Sequence, residues 1–265
     1  MRVVVKVGTS TLAHAGGRMN IRRVELLCKV LSDLKNAGCE VLLVSSGAIG
    51  MGVGKLSLNG RPEDMPGKQA AAAVGQCELM YTYDKLFSEY NHTVAQILLT
   101  ADDVQDARRS SYVHDTLERL LAWGVLPVIN ENDAVAIDEI GIHTTIGEND
   151  TLSAIVAKLV KADLLVLLSD IDGLYTADPR KDSNATLIPE VTAITEDILA
   201  LAGGSGTSLG SGGMATKLKA ANLAMDAGID MVITNGENPE NLYALLEGKP
   251  IGTRFVGRSV CYDHA

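Results

Sequence analysis

Residues 2–10 read RVVVKVGTS. Val3, Val4, Val5 and Val7 form a β-branched run with no polar alternation, which is the pattern of a strand buried on both faces. Lys6 interrupts it two residues before Gly8. A lysine inside a buried strand is unfavourable unless it is paired or emerges at the strand end. It reads either as an edge-strand lysine that blocks unwanted pairing or as a strand-end lysine aimed at an anion. The Gly-Thr-Ser that follows favours the second reading.

Runs of the same kind recur along the chain: EVLLVSS (40–46), HTVAQILL (92–99), GVLPVIN (124–130), DLLVLLS (163–169) and DMVITN (230–235). Amphipathic stretches near 20–37, 67–90, 107–122, 149–161 and 214–227 lie between them. That alternation predicts βαβ units around a mostly parallel sheet. No repeat or linker divides the chain, so a single domain is expected. Aromatics make up only 4% of the 265 residues against 46% hydrophobic, so the core is aliphatic, which agrees with a Val/Ile/Leu sheet. The formal charge of −10 argues against a general nucleic-acid or membrane-surface binder. The N-terminus lacks the apolar core of a signal peptide, no stretch is long and uncharged enough to span a bilayer, and the four cysteines show no CxxC spacing. A cytoplasmic location is the expectation, with Cys28 and Cys77 as buried free thiols.

In open parallel sheets ligands collect beyond the carboxyl ends of the strands. The residues there are Lys6 to Ser10, Ser45 to Gly50, Asn130 to Asp133, and Ser169-Asp170. Further along, GGSGTSLGSGGMATK (203–217) feeds a helical pattern with Lys217 in its first turn. The chain contains no GxxxxGK[ST] loop, and GMGVG at 50–54 follows a serine-glycine turn with the wrong spacing for a dinucleotide site. The glycine run is therefore either a mobile loop or a backbone cradle for phosphate oxygens at a helix N-terminus. Two segments carry Glu-Asn-Asp, NENDAV (130–135) and GENDTLSA (147–154). One polar residue of the second would serve as an N-cap, whereas a carboxylate such as Asp133 suits an ammonium-bearing ligand. His14, His92, His114, His143 and His264 have no zinc-ligand spacing, and ADPR (177–180) is a turn signal.

KVGTSTL, SSGAIGMG, GKQAAAAVGQ, PVINENDAV, DGLYTADPR and GSGGMATKL occur in this order from Val3 to about Phe255. Together they resemble the amino acid kinase family, and SSGAI, GKQAAAAVGQ, NENDAV and GGMATK are more specific to its glutamate-phosphorylating branch. The resemblance implies a three-layer αβα sandwich around a mostly parallel sheet. It also implies an amino-acid-binding lobe over about 1–160 and an ATP-binding lobe over about 161–265. Lys6, Lys217 and Asp150 would be catalytic, the lysines stabilising the transferring phosphoryl group and Asp150 orienting them. Thr9, Ser46, Gly47, Ala48, Ile49, Asp133 and Asn149 would hold the amino acid. Lys6, Ser169, Asp170, Ser211, Gly212, Gly213, Met214, Ala215, Thr216 and Lys217 would cradle ATP, with Mg²⁺ carried mainly by the nucleotide. Proline as feedback inhibitor and a homodimer or homotetramer are further implications. Many members of that branch carry a C-terminal PUA domain, a pattern from which this sequence departs. Other acceptors within the family (acetylglutamate, aspartate, carbamate, a nucleoside monophosphate) and a non-catalytic glutamate or proline sensor are the alternatives.

Overall fold

The alternation of buried strands and helices is realised in a computed structural model, which describes residues 1–14, 17–135, 149–202 and 213–258. In chain order the elements are β1 (Arg2–Val7), α1 (Thr9–Leu12), α2 (Ile21–Asn36), β2 (Glu40–Ser45), α3 (Ala48–Lys55), α4 (Met65–Ser88), β3 (Val94–Leu99), α5 (Ala101–Gln105) and α6 (Ala107–Ala122). There follow β4 (Leu126–Glu131), α7 (Asn149–Leu159), β5 (Leu164–Ser169), β6 (Glu190–Val191), α8 (Glu196–Ala200), α9 (Met214–Asp226), β7 (Asp230–Asn235), α10 (Asn241–Leu246) and β8 (Thr253–Phe255). The eight strands form one sheet in the order β3-β4-β2-β1-β5-β7-β8-β6. Every pairing between these strands is parallel except β7 with β8. The parallel α/β architecture inferred from the aliphatic runs is the one observed.

Side chains alternate across a strand with period two, and β1 shows what this sets up. Val3, Val5 and Val7 pack with Leu27, Leu31, Leu79 and Phe87 of α2 and α4. Val4 points the other way, into a cluster with Leu152 and Val156 of α7 and Leu218 and Ala221 of α9. Helices therefore cover both faces, and Lys6 shares the face of Val4, beneath α7 and α9. No helix among the described residues is long and apolar enough to cross a membrane.

The stretch 48–55, which is not among the helical stretches expected from the sequence, forms α3. Gly50, Gly52 and Gly54 each disfavour helix by roughly 1 kcal/mol relative to alanine, so contact must compensate. A Cβ on Gly52 would lie 1.8 Å from the Ala71 carbonyl oxygen, and one on Gly75 would lie 1.8 Å from that of Ala48. The backbones of α3 and α4 thus touch through small residues, and that approach explains Gly52 of α3 and Gly75 of α4. The start of α4 is secured by Asp64, which accepts from Gly67 N. Cys28 is buried as expected, but Cys77 is exposed, because it lies on the face of α4 turned away from the core.

Gly52→Ala should lower stability by about 1–3 kcal/mol through overpacking of α3 on α4. An unchanged urea midpoint would show that the two helices have room to separate.

Candidate active site

The carboxyl ends of β1, β2, β4 and β5 open on one side of the sheet, and the polar residues that follow them meet there. Lys6 Nζ lies 2.5 Å from Asp150 Oδ1, and Lys217 Nζ donates to Asp150 Oδ2 at 3.1 Å. Thr216 Oγ1 lies 3.1 Å from the same Oδ2 and 2.9 Å from the carbonyl oxygen of Gly213, with one proton to give between them. Lys6, Asp150 and Lys217 are 9%, 2% and 6% exposed, so little water screens the three charges. Burial alone would raise the Asp150 carboxyl above its ordinary 3.8. The two lysines outweigh burial and hold it at about 2. Asp150 is thus an anion at any physiological pH.

Three distant segments build this cluster. Lys6 comes from β1, held in register between Val44 of β2 and Leu167 of β5. Asp150 is the second residue of α7, and Lys217 lies in the first turn of α9, whose N-cap is Gly213. Helix N-termini present unpaired N–H groups and the positive end of the dipole. Met214, Ala215, Thr216 and Lys217 therefore lie where an anion is favoured. Ser211, Gly212 and the rest of 203–212 lie outside the described residues, as do His143, Cys261 and His264. Ser169 and Asp170 follow β5. Ser169 Oγ lies 3.2 Å from Asp170 Oδ1, and Arg180 of the DPR turn donates to Oδ2 at 3.1 Å.

Next to the charged cluster lies a neutral one. Gly47 adopts φ +100°, a left-handed conformation that suits glycine, and turns the chain from β2 into α3. A Cβ on Gly47 or Gly50 would touch the Thr9 side chain, so Thr9 and the Gly47–Ile49 turn are neighbours. Asn149 Nδ2 donates to Ser46 Oγ and to Asn130 Oδ1, both at 2.9 Å. Asp133 lies just past β4 on the wall of a cavity of about 640 Å³, together with Ala48, Gln76 and Asn132. The structure thus brings Thr9, Ser46, Gly47, Ala48, Ile49 and Asn149 together, with Asp133 at the adjoining cavity. Sequence reading left Asn130 and Gln76 without a role. Asn130 carried the same signal as Lys6, a polar residue at the end of an apolar strand. Ser45, 2.9 Å from the Tyr83 hydroxyl in the interior, ties the end of β2 to α4. His92 faces the carbonyl of Ser32, and His114 that of Leu159.

Comparison with known proteins agrees with this geometry. The amino acid kinase family model matches residues 1–235. Over 257 residues the chain is 54% identical to a glutamate 5-kinase of Clostridium perfringens, covering 97% of this chain and 96% of that one. A glutamate 5-kinase of Clostridium tetani is 56% identical over 253 residues, covering 96% of this chain and 93% of the relative. Among solved structures, UMP kinase from Bacillus anthracis superimposes with a TM-score of 0.67 at 17% identity, covering 97% and 96% of the two chains. An isopentenyl phosphate kinase of T. acidophilum superimposes with a TM-score of 0.66 at 19% identity, covering 96% and 100%. At those identities the structural matches speak for the fold alone. With the family matched over most of its length and its strand-end residues gathered around Asp150, the chain is a member of the amino acid kinase family.

Proposed function

We propose that this protein transfers the γ-phosphoryl group of MgATP to the side-chain carboxylate of L-glutamate, giving L-glutamyl 5-phosphate and ADP, the first step of proline biosynthesis. The buried Lys6–Asp150–Lys217 cluster is the observation that carries the chemistry. The glutamate 5-kinases that match nearly the whole chain support the choice of acceptor. A cytoplasmic site of action follows from that role.

The nucleophile is a carboxylate with an ordinary pKa of about 4.3, already ionised at neutral pH, so the reaction needs no general base. One of its oxygens attacks the γ-phosphorus while the bond to the β–γ bridging oxygen breaks, and ADP leaves with the electron pair. Two anions must meet, so catalysis consists of alignment and charge stabilisation. Lys6 approaches from the strand side and Lys217 from the helix side, both braced on Asp150, to stabilise the equatorial oxygens of the phosphoryl group in flight. The amides of Gly213 to Thr216, with Ser169 and Asp170, hold the nucleotide. Mg²⁺ enters as part of the MgATP substrate, an ion that commonly keeps several waters and takes few protein ligands. Asp150 itself is committed to two ammonium groups. Ser46, Asn149, Thr9 and the Gly47–Ile49 turn receive glutamate, and Asp133 pairs with its ammonium. Proline shares the cationic nitrogen and α-carboxylate, so it competes for this pocket. The outer face of α4, where Cys77 and Tyr81 are exposed, supplies an interface for a homo-oligomer.

The direct test is ADP release with MgATP and a panel of L-glutamate, acetylglutamate, L-aspartate, carbamate and UMP, with hydroxylamine present to trap an acyl phosphate. Glutamate-dependent ADP with a trapped hydroxamate is expected, and turnover with another acceptor alone would overturn the assignment. Lys217→Ala should lower kcat by roughly 10²–10³, whereas near-wild-type turnover would remove Lys217 from the mechanism. In Asp133→Ala the glutamate KM should rise far more than the ATP KM, and equal changes would contradict ammonium pairing. Asp150→Asn leaves two buried ammonium groups without their counter-charge and should cost about 3–5 kcal/mol of stability at pH 7. A carboxylate with a depressed pKa stabilises the fold above 3.8, and this contribution is lost as pH falls through about 2. The gap between wild type and Asp150→Asn should therefore narrow over that window in acid-denaturation profiles, and a constant gap would refute the linkage.

A further inference from the structure

Three side chains converge on the Asp150 carboxylate, and one of them is uncharged. Lys6 Nζ lies 2.5 Å from Oδ1, Lys217 Nζ donates to Oδ2 at 3.1 Å, and Thr216 Oγ1 lies 3.1 Å from the same Oδ2. Thr216 and Lys217 are neighbours in the first turn of α9, where consecutive side chains diverge by about 100° around the helix axis. Their meeting on one oxygen therefore grips it from two directions. The hydroxyl has a second partner, the carbonyl oxygen of Gly213 at 2.9 Å, which ties it to the N-cap of its own helix.

The three groups differ in stiffness. A lysine ammonium rides on a flexible four-carbon stem, and a carboxylate turns about a torsion with broad preferences. Neither one defines the geometry of the other. Threonine is short and stiff about χ1, and the Gly213 carbonyl holds its rotamer. Thr216 Oγ1 is thus the rigid point against which the carboxylate is set. Its single proton gives that point a use in the reaction. While Lys217 supplies Oδ2 with a proton, the hydroxyl proton can rest on Gly213. An arriving phosphoryl group draws the ammonium groups toward its own oxygens, and Oδ2 loses part of that donation. A carboxylate is a stronger acceptor than a neutral carbonyl, so the hydroxyl proton then turns to Oδ2. The turn is a rotation about one C–O bond, and no heavy atom moves.

We infer that Thr216 is a positioning residue for phosphoryl transfer: its hydroxyl holds the Asp150 carboxylate in orientation while Lys6 and Lys217 engage the phosphoryl group. This role belongs to the side chain and is separate from the nucleotide contact of the Thr216 amide. It rests on the Lys6–Asp150–Lys217 cluster carrying the transfer to glutamate proposed above. The bond to Oδ2 strengthens in the transition state, so its loss lowers kcat and leaves both KM values in place.

The test is steady-state kinetics with hydroxamate detection on wild type, Thr216→Val and Thr216→Ser. Valine keeps the β-branched shape and the amide but removes the hydroxyl, whereas serine keeps the hydroxyl and loses the methyl group. For Thr216→Val kcat should fall about threefold to tenfold, with the glutamate and ATP KM values unchanged. Thr216→Ser should keep the wild-type kcat. A merely structural need for a β-branched side chain predicts the reverse order, with valine tolerated and serine impaired. That order, a change confined to the ATP KM, or a serine variant as slow as the valine one would overturn the inference. Should the valine variant not fold, Thr216→Ala against Thr216→Ser isolates the hydroxyl in the same way. A wild type that forms no hydroxamate from glutamate would refute the acceptor assignment, whereas an active wild type with an unaffected Thr216→Val would refute the positioning role alone.

Discussion

One carboxylate holds two lysines that lie 211 residues apart in the chain. Burying three charged groups together is expensive, with an effective penalty of several kcal/mol per ion, and apolar residues of similar volume often serve stability as well or better. The cluster is therefore poorly explained as a stabilising device. It is well explained as a way of holding two ammonium groups at fixed positions under α7 and α9 until an anion arrives. The aliphatic layer between sheet and helices makes this possible, because Val4 of β1, Leu152 of α7 and Leu218 of α9 belong to the buried cluster that excludes water on this face.

Consecutive residues of α7 divide the chemistry. Asp150 turns to the lysines, and Asn149 turns to Ser46 and Asn130. The first turn of one helix is thus the junction between a charged compartment and a neutral one. The close contact of α3 on α4 fixes the height of the Gly47–Ile49 turn on the neutral side. Glycines that look like signs of mobility in the sequence here permit rigidity, because only they allow two backbones to approach so closely.

The strands were legible because runs such as RVVVKV and DLLVLLS leave little choice of environment. Lys6 stood out for the same reason, as a charge in a place that rejects charge. The partnership of Lys6 with Asp150 and Lys217 was not readable from spacing, since nothing local links positions 6, 150 and 217. It entered through resemblance to a family, and the structure places the three groups in contact. The helix at 48–55 was missed because intrinsic propensity opposes it and a distant helix supplies the compensation. Gln76 was invisible for a related reason: its partner is Asn130, 54 residues away. Cys77 was misjudged as buried because helical periodicity alone does not say which face of α4 meets the sheet.

The wide spacing of the charged groups bears on biosynthesis. On a ribosome, β1 and α7 are complete well before α9 emerges, so Lys6 and Asp150 can meet as a one-to-one pair while Lys217 is still absent. A partly made chain therefore holds a neutralised pair where the finished protein holds two cations on one anion, and its attraction for a nucleotide phosphate is correspondingly weak. Competence for phosphoryl transfer would come late in translation, with the docking of α9, and unfinished chains would not consume ATP.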